Sequence, residues 1–300
     1  MIICKDVSKF ILKGIELHVP AGITLGVIGA SGAGKTTFLK LISGLLSPES
    51  GGIYTFRKDP VGKRKEILRD IAVLFADIPV FHDELSVRDC LNEMKIIYGI
   101  RKDRFVERTE YVADILGFKE ILDTRVRSLS LGQKRRAELG MTFIRDAGLY
   151  IFDEPCIGLD QNAKAAFYRL VKEKKEEGAT ILISSHDMED ISELAERILL
   201  LDEGEAVFYG SKEELVKKLI PLEECRIKME GSIPDISDLE VERLVIENDM
   251  MKLYYNSNHV SSKEVIERIC AGNAMVRSLD FRRSGLGESI KTAHSGRVEK

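Results

Sequence analysis

Residues 29–36 read Gly-Ala-Ser-Gly-Ala-Gly-Lys-Thr, and no other stretch narrows the fold so far. The spelling G-x-x-x-x-G-K-S/T belongs where a strand ends, a loop of main-chain N–H groups curls around an anion, and a helix begins. The flanks supply both elements. Ile23–Ile28 is an apolar run that reads as a strand, and Phe38, Leu41, Ile42 and Leu45 share one face of a helix expected over Thr37–Leu46. The glycines let the backbone close on phosphate oxygens, and the helix N-terminus adds partial positive charge. Lys35 is placed to reach β- and γ-phosphates, and the Thr36 hydroxyl to ligate Mg²⁺. Gly29, Ala30, Ser31, Gly32, Ala33, Gly34, Lys35, Thr36 and Thr37 form the candidate phosphate site.

Downstream, apolar runs alternate with helical patterns, which predicts an α/β P-loop core with a mostly parallel sheet. Ile15–Val19 reads as a strand of an antiparallel N-terminal set, and Ile71–Phe75, Leu149–Phe152, Thr180–Ile183 and Ile198–Leu201 read as central strands. Residues 86–147 are mostly helical in pattern and form an inserted helical subdomain. Ser86 with Asp89 predicts a capping box opening a helix through Tyr98, and Val106, Val112, Ile115 and Leu116 mark a second helix. The pattern changes near Gly210. Ser211–Glu214 predicts the start of a helix through Leu219, which Pro221 stops. Strand-like runs come next at Arg226–Met229, Leu239–Ile246, Met251–Tyr255 and Val276–Phe281, with a helix around Ser262–Cys270 and a polar tail after Ser284 expected to fray. The expected division is 1–220 for the P-loop domain and 221–300 for a small α+β domain.

Composition removes several classes. With 45 Lys and Arg against 49 Asp and Glu, the net charge is −4, so there is no basic footprint for nucleic acid. No apolar run approaches the roughly 18 residues of a membrane span. Cys4, Cys90, Cys156, Cys225 and Cys270 are widely spaced, which fits neither a zinc site nor a disulfide framework and suggests a reducing cytosol.

Leu149-Tyr150-Ile151-Phe152-Asp153-Glu154 is an apolar strand ending in two acids. Such a pair is costly to desolvate unless it serves a cation or a proton transfer. Asp153 suits Mg²⁺, and Glu154 suits polarising a water that attacks the γ-phosphorus.

With these motifs in view, the chain resembles the ATP-binding cassette (ABC) ATPases. Leu129-Ser130-Leu131-Gly132-Gln133 resembles the family's L-S-G-G-Q signature, Gly158-Leu159-Asp160 its D-loop, and His186 in Ile183-Ser184-Ser185-His186-Asp187 its switch histidine. The resemblance spans about residues 2–218, in the family's order, and the L-S-L-G-Q spelling resembles exporter cassettes with a small C-terminal domain. It implies ATP hydrolysis with Mg²⁺ and a head-to-tail dimer, with itself or a paralogous cassette. In that dimer Ser130, Gly132 and Gln133 of one subunit face the γ-phosphate held by Lys35 of the other. Asp160 lies at the dimer interface, and His186 hydrogen-bonds the γ-phosphate. It also implies a separate transmembrane partner, bound through the helical region and the Asp77–Ser86 loop, and a cytoplasmic position, peripheral on the inner face of the membrane.

Two positions depart from the family. The adenine-stacking aromatic corresponds to Phe10, for which core packing is the alternative. The glutamine expected after Ile71–Phe75 is missing, since the chain's only glutamines are Gln133 and Gln161. Asp77 takes that place, or Ala76 in the other register. Asp77 is a candidate contact to Mg²⁺ through a bound water, or a solvated loop acid. Export is the expected direction of transport. The alternatives are a soluble, non-transport member of the family serving nucleic acid, the ribosome or iron–sulfur assembly, and a module that binds ATP without turnover.

Overall fold

Strands β1 (Ile2–Lys9) and β2 (Leu12–Val19) pair antiparallel through a two-residue turn, which Phe10 closes at a φ of 52°. In β2 the alternation of Leu12, Ile15, Leu17 and Val19 puts one face in the core. β3 (Thr24–Ile28) is buried at every position and delivers the chain to the glycine loop and α1 (Lys35–Ile42). β4 (Ser50–Thr55) returns to the other edge of β1, so the first sheet has the order β2-β1-β4. The short α2 (Arg64–Ile67) precedes β5 (Ile71–Leu74). This is the computed structural model of the chain, and it describes residues 1–218, 222–230, 236, 238–247, 250–271 and 275–283.

Three helices form the insertion: α3 (Val87–Tyr98), α4 (Lys102–Leu116) and α5 (Leu131–Ile144). The Ser86–Asp89 capping box opens α3 as its sequence predicts. The chain then alternates through β6 (Leu149–Asp153), α6 (Gln161–Glu176), β7 (Thr180–Ser184), α7 (Met188–Leu194), β8 (Arg197–Asp202) and β9 (Glu205–Ser211). The second sheet runs β5-β6-β7-β3-β8-β9 and is parallel except for β9. Strands covered on both faces need continuous apolar runs, which is why β3, β6 and β7 read so clearly. Phe152 of β6 lies 5.3 Å from the Phe143 ring of α5 and 5.2 Å, edge-on, from Phe167 of α6. Each such ring contributes about 1.5–3 kcal/mol of burial, and together they fix α5 and α6 against the strand that ends in Asp153.

The chain divides into two units, Met1–Ser211 and Lys212–Lys300. The second contains α8 (Lys212–Lys218), β10 (Leu222–Glu230), β11 (Val241–Glu247), β12 (Met250–Asn256), α9 (Ser262–Cys270) and β13 (Met275–Arg283). Its antiparallel sheet has the order β11-β12-β10-β13, and α9 contributes Val265 and Ile269 to a core with Cys225, Ile227, Leu253 and Tyr255. The predicted stop at Leu219–Pro221 and the polar tail after Ser284 lie outside the described residues.

Three differences have physical reasons. The first helix begins at Lys35 and ends at Ile42 rather than running from Thr37 to Leu46, because Gly34 caps its start and Gly44 takes a φ of 75° after its end. β4 carries two glycines and so has no continuous apolar run, and β9, the half-exposed antiparallel edge of its sheet, has only the four-residue run 206–209. β1 changes register against both neighbours, which breaks the period-two pattern that would have revealed it.

Candidate functional site

The glycine loop is shaped by close backbone approach. A Cβ at Gly29 would lie 2.2 Å from the Leu201 carbonyl oxygen, so only glycine fits there. At Gly34, with φ 102°, a Cβ would meet Leu12 at 2.5 Å and Ile11 at 3.3 Å. The turn that carries Phe10 therefore abuts the start of α1. Ala30, Ser31 and Gly32 form the exposed crown of the loop, while Ala33 is buried beneath it. Lys35 folds back over the crown, its Nζ donating to the carbonyls of Gly29 at 2.8 Å and Ala30 at 3.0 Å. No acid occupies the first turn of α1, so the positive end of the helix is left for an anion.

Across from the loop, parallel register aligns Asp153 at the end of β6 with Ser184 at the end of β7. Asp153 is only 2% exposed. It accepts from the Thr36 hydroxyl at 2.8 Å and from the Ser184 hydroxyl at 2.5 Å, so both of its oxygens are engaged. Glu154 turns out of the strand with a φ of 49°, a left-handed conformation unusual for a side chain of this size. Its N–H donates to Ser184, and its Oε2 accepts from the His186 N–H at 3.2 Å and lies 2.7 Å from His186 Nδ1. Arg135, buried on α5, fixes this bend from behind. Its guanidinium donates to the carbonyls of Asp153 at 3.2 Å, Glu154 at 2.8 Å and Pro155 at 3.1 Å, and pairs with Glu138.

The start of α7 anchors His186. Asp187 caps that helix by accepting from the Glu189 N–H, and Lys164 of α6 bridges Asp187 at 2.7 Å and buried Asp190 at 2.8 Å. The hydrogen bond from Lys164 holds the Asp187 carboxyl below the usual carboxylate range. Burial lowers the Lys164 ammonium, but its hydrogen bonds to Asp187 and Asp190 outweigh that and push it upward.

The signature residues open α5. Ser130 accepts from the Gln133 N–H at 3.2 Å, and Gln133 accepts from the Ser130 N–H at 2.9 Å, a reciprocal capping box. A Cβ at Gly132 would lie 2.9 Å from the Gly158 carbonyl, so this helix start and the segment before Asp160 touch through bare backbone. Asp160 caps α6 by accepting from the Ala163 N–H and pairs with Arg136. Among the described residues no hydrogen bond joins Ser130–Gln133 to Gly29–Thr37.

Phe10 is 69% exposed, with the Lys9 ammonium 4.6 Å from its ring centroid, so the core-packing alternative for it is wrong. Asp77 has a different partner from the one its sequence position suggests: its carboxylate is paired with Lys40 of α1 at 2.5 Å. The structure thus brings together Lys35, Thr36, Asp153, Glu154 and His186. Ser130, Gln133 and Asp160 cap two other helices, and Asp77 is tied to α1. Sequence reasoning missed Ser184, Arg135, Lys164 and Lys40. Ser184 could have been found from the register of two strands ending in Asp153 and Ser184; the other three had no local signal.

The family model described as ABC transporter matches residues 12–157. The ABC transporter ATP-binding protein NatA of Bacillus subtilis is 30% identical over 211 residues, covering 70% of this chain and 85% of the relative. The glucose import ATP-binding protein GlcV of Saccharolobus solfataricus is 32% identical over 254 residues, covering 80% of this chain and 69% of the relative. Among solved structures, an ATP-binding subunit of an ABC transporter superposes with a TM-score of 0.68 at 25% identity, covering 72% of this chain and 92% of that one. Among the described residues no helix is long and apolar enough to cross a membrane.

Proposed function

This chain belongs to the ABC transporter ATP-binding family and is an ATPase, and from that premise we propose how its own residues bind and cleave ATP and what the cleavage powers. The observation that carries the reading is the juxtaposition of two pairs at the sheet's carboxyl edge: Thr36 with Asp153 at 2.8 Å, and Glu154 with His186 at 2.7 Å. The loop N–H groups and Lys35 bind the β- and γ-phosphates. Lys35 already donates to two carbonyls, and it exchanges those partners for phosphate oxygens. Glu154 accepts a proton from the attacking water, and its bent backbone aims the carboxylate out of the sheet. The His186 ring donates a hydrogen bond to the γ-phosphate, and its main-chain N–H holds Glu154 in place. Phe10, exposed beside the start of α1, stacks on the adenine.

Thr36 and Asp153 fit Mg²⁺, because they offer two hard oxygens already in contact with one another. Among the described residues no group of three or more His, Cys, Asp or Glu could hold a metal. That suits an ion which keeps several waters and takes one or two protein ligands plus substrate phosphates. When bound, Mg²⁺ neutralises developing phosphate charge.

The second half of the site comes from another cassette, identical or paralogous. Ser130, Gly132 and Gln133 meet the γ-phosphate held by the facing subunit, and Asp160 lies at the seam. The work is delivered to a separate membrane-spanning subunit on whose cytoplasmic side the chain sits. The helical insertion and the Asp77–Ser86 loop bind that subunit, and the exposed Ile96 and Ile97 at the end of α3 support this reading. We take the direction to be export, on the L-S-L-G-Q spelling. The test is a search for a membrane protein encoded beside this chain, followed by co-expression with it. Co-purification in detergent, ATPase stimulation in liposomes and ATP-dependent loss of a substrate from cells support the proposal. ATPase activity with no membrane partner retained would overturn the transport role, and substrate uptake would overturn the direction.

A further inference from the structure

An acid stands in the loop after β5 where the family places a neutral glutamine, and the structure gives that acid a cation of its own. β5 pairs in parallel with β6 so that Leu74 lies beside Phe152. The next residues, Phe75 to Asp77, therefore leave the sheet next to Asp153 and Glu154. Lys40 comes four residues after Thr36 on α1, and side chains at that spacing share one helix face. Thr36 holds Asp153 and Lys40 holds Asp77. One helix face thus grips the ends of two adjacent strands. The Lys40 ammonium also lies over the Phe75 ring, 5.8 Å from its centroid, and its side chain is largely covered.

Resting on the phosphate-site reading above, we propose that Lys40 is a positioning residue for the ATPase reaction: it clamps the β5–α3 loop to the phosphate-binding helix and cancels the charge of Asp77, so that a polyanion can bind beside an acidic loop. Thr36 and Lys40 act at successive turns of α1. The hydroxyl leaves the Asp153 charge available to a cation, while the ammonium removes the Asp77 charge from the nucleotide's surroundings. An uncompensated carboxylate at about 10 Å from the phosphates, at an effective dielectric near 20, weakens binding of an anion by roughly tenfold, less at high salt.

The two ends of the pair should behave oppositely, which a plain structural tether would not do. Equilibrium titration of the full chain with a fluorescent ATP analogue and Mg²⁺ reads this directly. Lys40→Met should raise the dissociation constant about tenfold, and 0.5 M salt should shrink that increase. Asp77→Asn should leave the constant unchanged or lower it, because Lys40 is then free to attract the nucleotide. The double variant should return to within about twofold of the parent, and Lys40→Arg should bind as the parent does. Where Lys40→Met does not fold, Lys40→Gln carries the same expectation. Equal weakening by both single variants would overturn the proposal, as would no effect at Lys40. Weakening by Asp77→Asn only when Mg²⁺ is present would overturn it too, by assigning Asp77 to the metal. Lys35→Ala separates this proposal from the one beneath it, since undiminished nucleotide binding there defeats the phosphate-site reading itself.

Discussion

Replacing Glu154 by Gln removes one proton acceptor and leaves nearly everything else in place. The bend at Glu154, with φ 49°, is imposed on the main chain, where the Arg135 guanidinium holds the Glu154 carbonyl at 2.8 Å and Ser184 receives its N–H. None of those contacts involves the side chain. The Glu154 Oε2 serves only the His186 N–H and Nδ1, and an amide oxygen can accept from both once Nδ1 carries the proton. The amide therefore keeps its position and loses basicity and charge. Loss of a positioned general base slows turnover by about 10²–10⁴, which at about 1.4 kcal/mol per decade is about 3–5 kcal/mol on the barrier. ATP binding should stay within about twofold of the parent, measured by nucleotide titration. Phosphate release should fall by the factor above, and an ATP-loaded dimer should accumulate in size-exclusion chromatography. Turnover at the parental rate with unaltered melting would refute the role of Glu154 as base and with it the logic that connects the bend to catalysis.

Arg135→Met should destabilise the chain by about 3 kcal/mol in chemical denaturation, because it strips buried carbonyls of Asp153, Glu154 and Pro155 of their donor and leaves Glu138 without its partner. A loss below about 1 kcal/mol would show that the guanidinium is not what holds the end of β6. Thiol labelling at pH 8 should modify exposed Cys270 long before Cys4 or Cys225, since burial pushes each of those thiols up to about 12 and leaves about one molecule in 10⁴ as thiolate. Peptide mapping by mass spectrometry reads the order, and early modification of Cys4 would contradict its burial. Sedimentation without nucleotide should find a monomer; a nucleotide-free dimer that survives removal of residues 221–300 would oppose the nucleotide-sandwich reading.

Legibility in the sequence tracks how local each determinant is. The glycine loop, the apolar run into Asp153 and the Ser86–Asp89 box each place their determinants within a few residues, and spacing alone exposes them. Ser184 reaches Asp153 through the register of parallel strands 31 residues apart, and Lys40 reaches Asp77 from 37 residues away. Nothing in either local sequence announces the partner. Arg135 was invisible for a further reason: in an amphipathic helix it reads as an exposed cation, and only the aromatic packing of Phe143 on Phe152 turns that face of α5 toward the end of β6. The edge strand β4 carries no apolar run because two of its six residues are glycine, and β9 offers only the four-residue run 206–209 on a half-exposed edge.

The nucleotide dependence expected of assembly originates in the groups that the capping boxes leave free. The Ser130 hydroxyl and the Gln133 carbonyl each use an acceptor to close the start of α5. Donors remain free at that end: the Ser130 O–H, the Gln133 amide N–H groups and the main-chain N–H groups of Leu131 and Gly132. Leu131 between them is 70% exposed. The start of α1 is also a positive helix end, with Lys35 and no acid within its first turn. Bringing the α5 start of one cassette onto the α1 start of another sets two positive helix ends face to face. A triphosphate supplies acceptors to both and reverses the sign of the interaction, so in the proposed dimer the substrate is the part that makes two otherwise repelling surfaces complementary. On that proposal, cleaving the terminal phosphate withdraws the shared acceptor and lets the two cassettes separate.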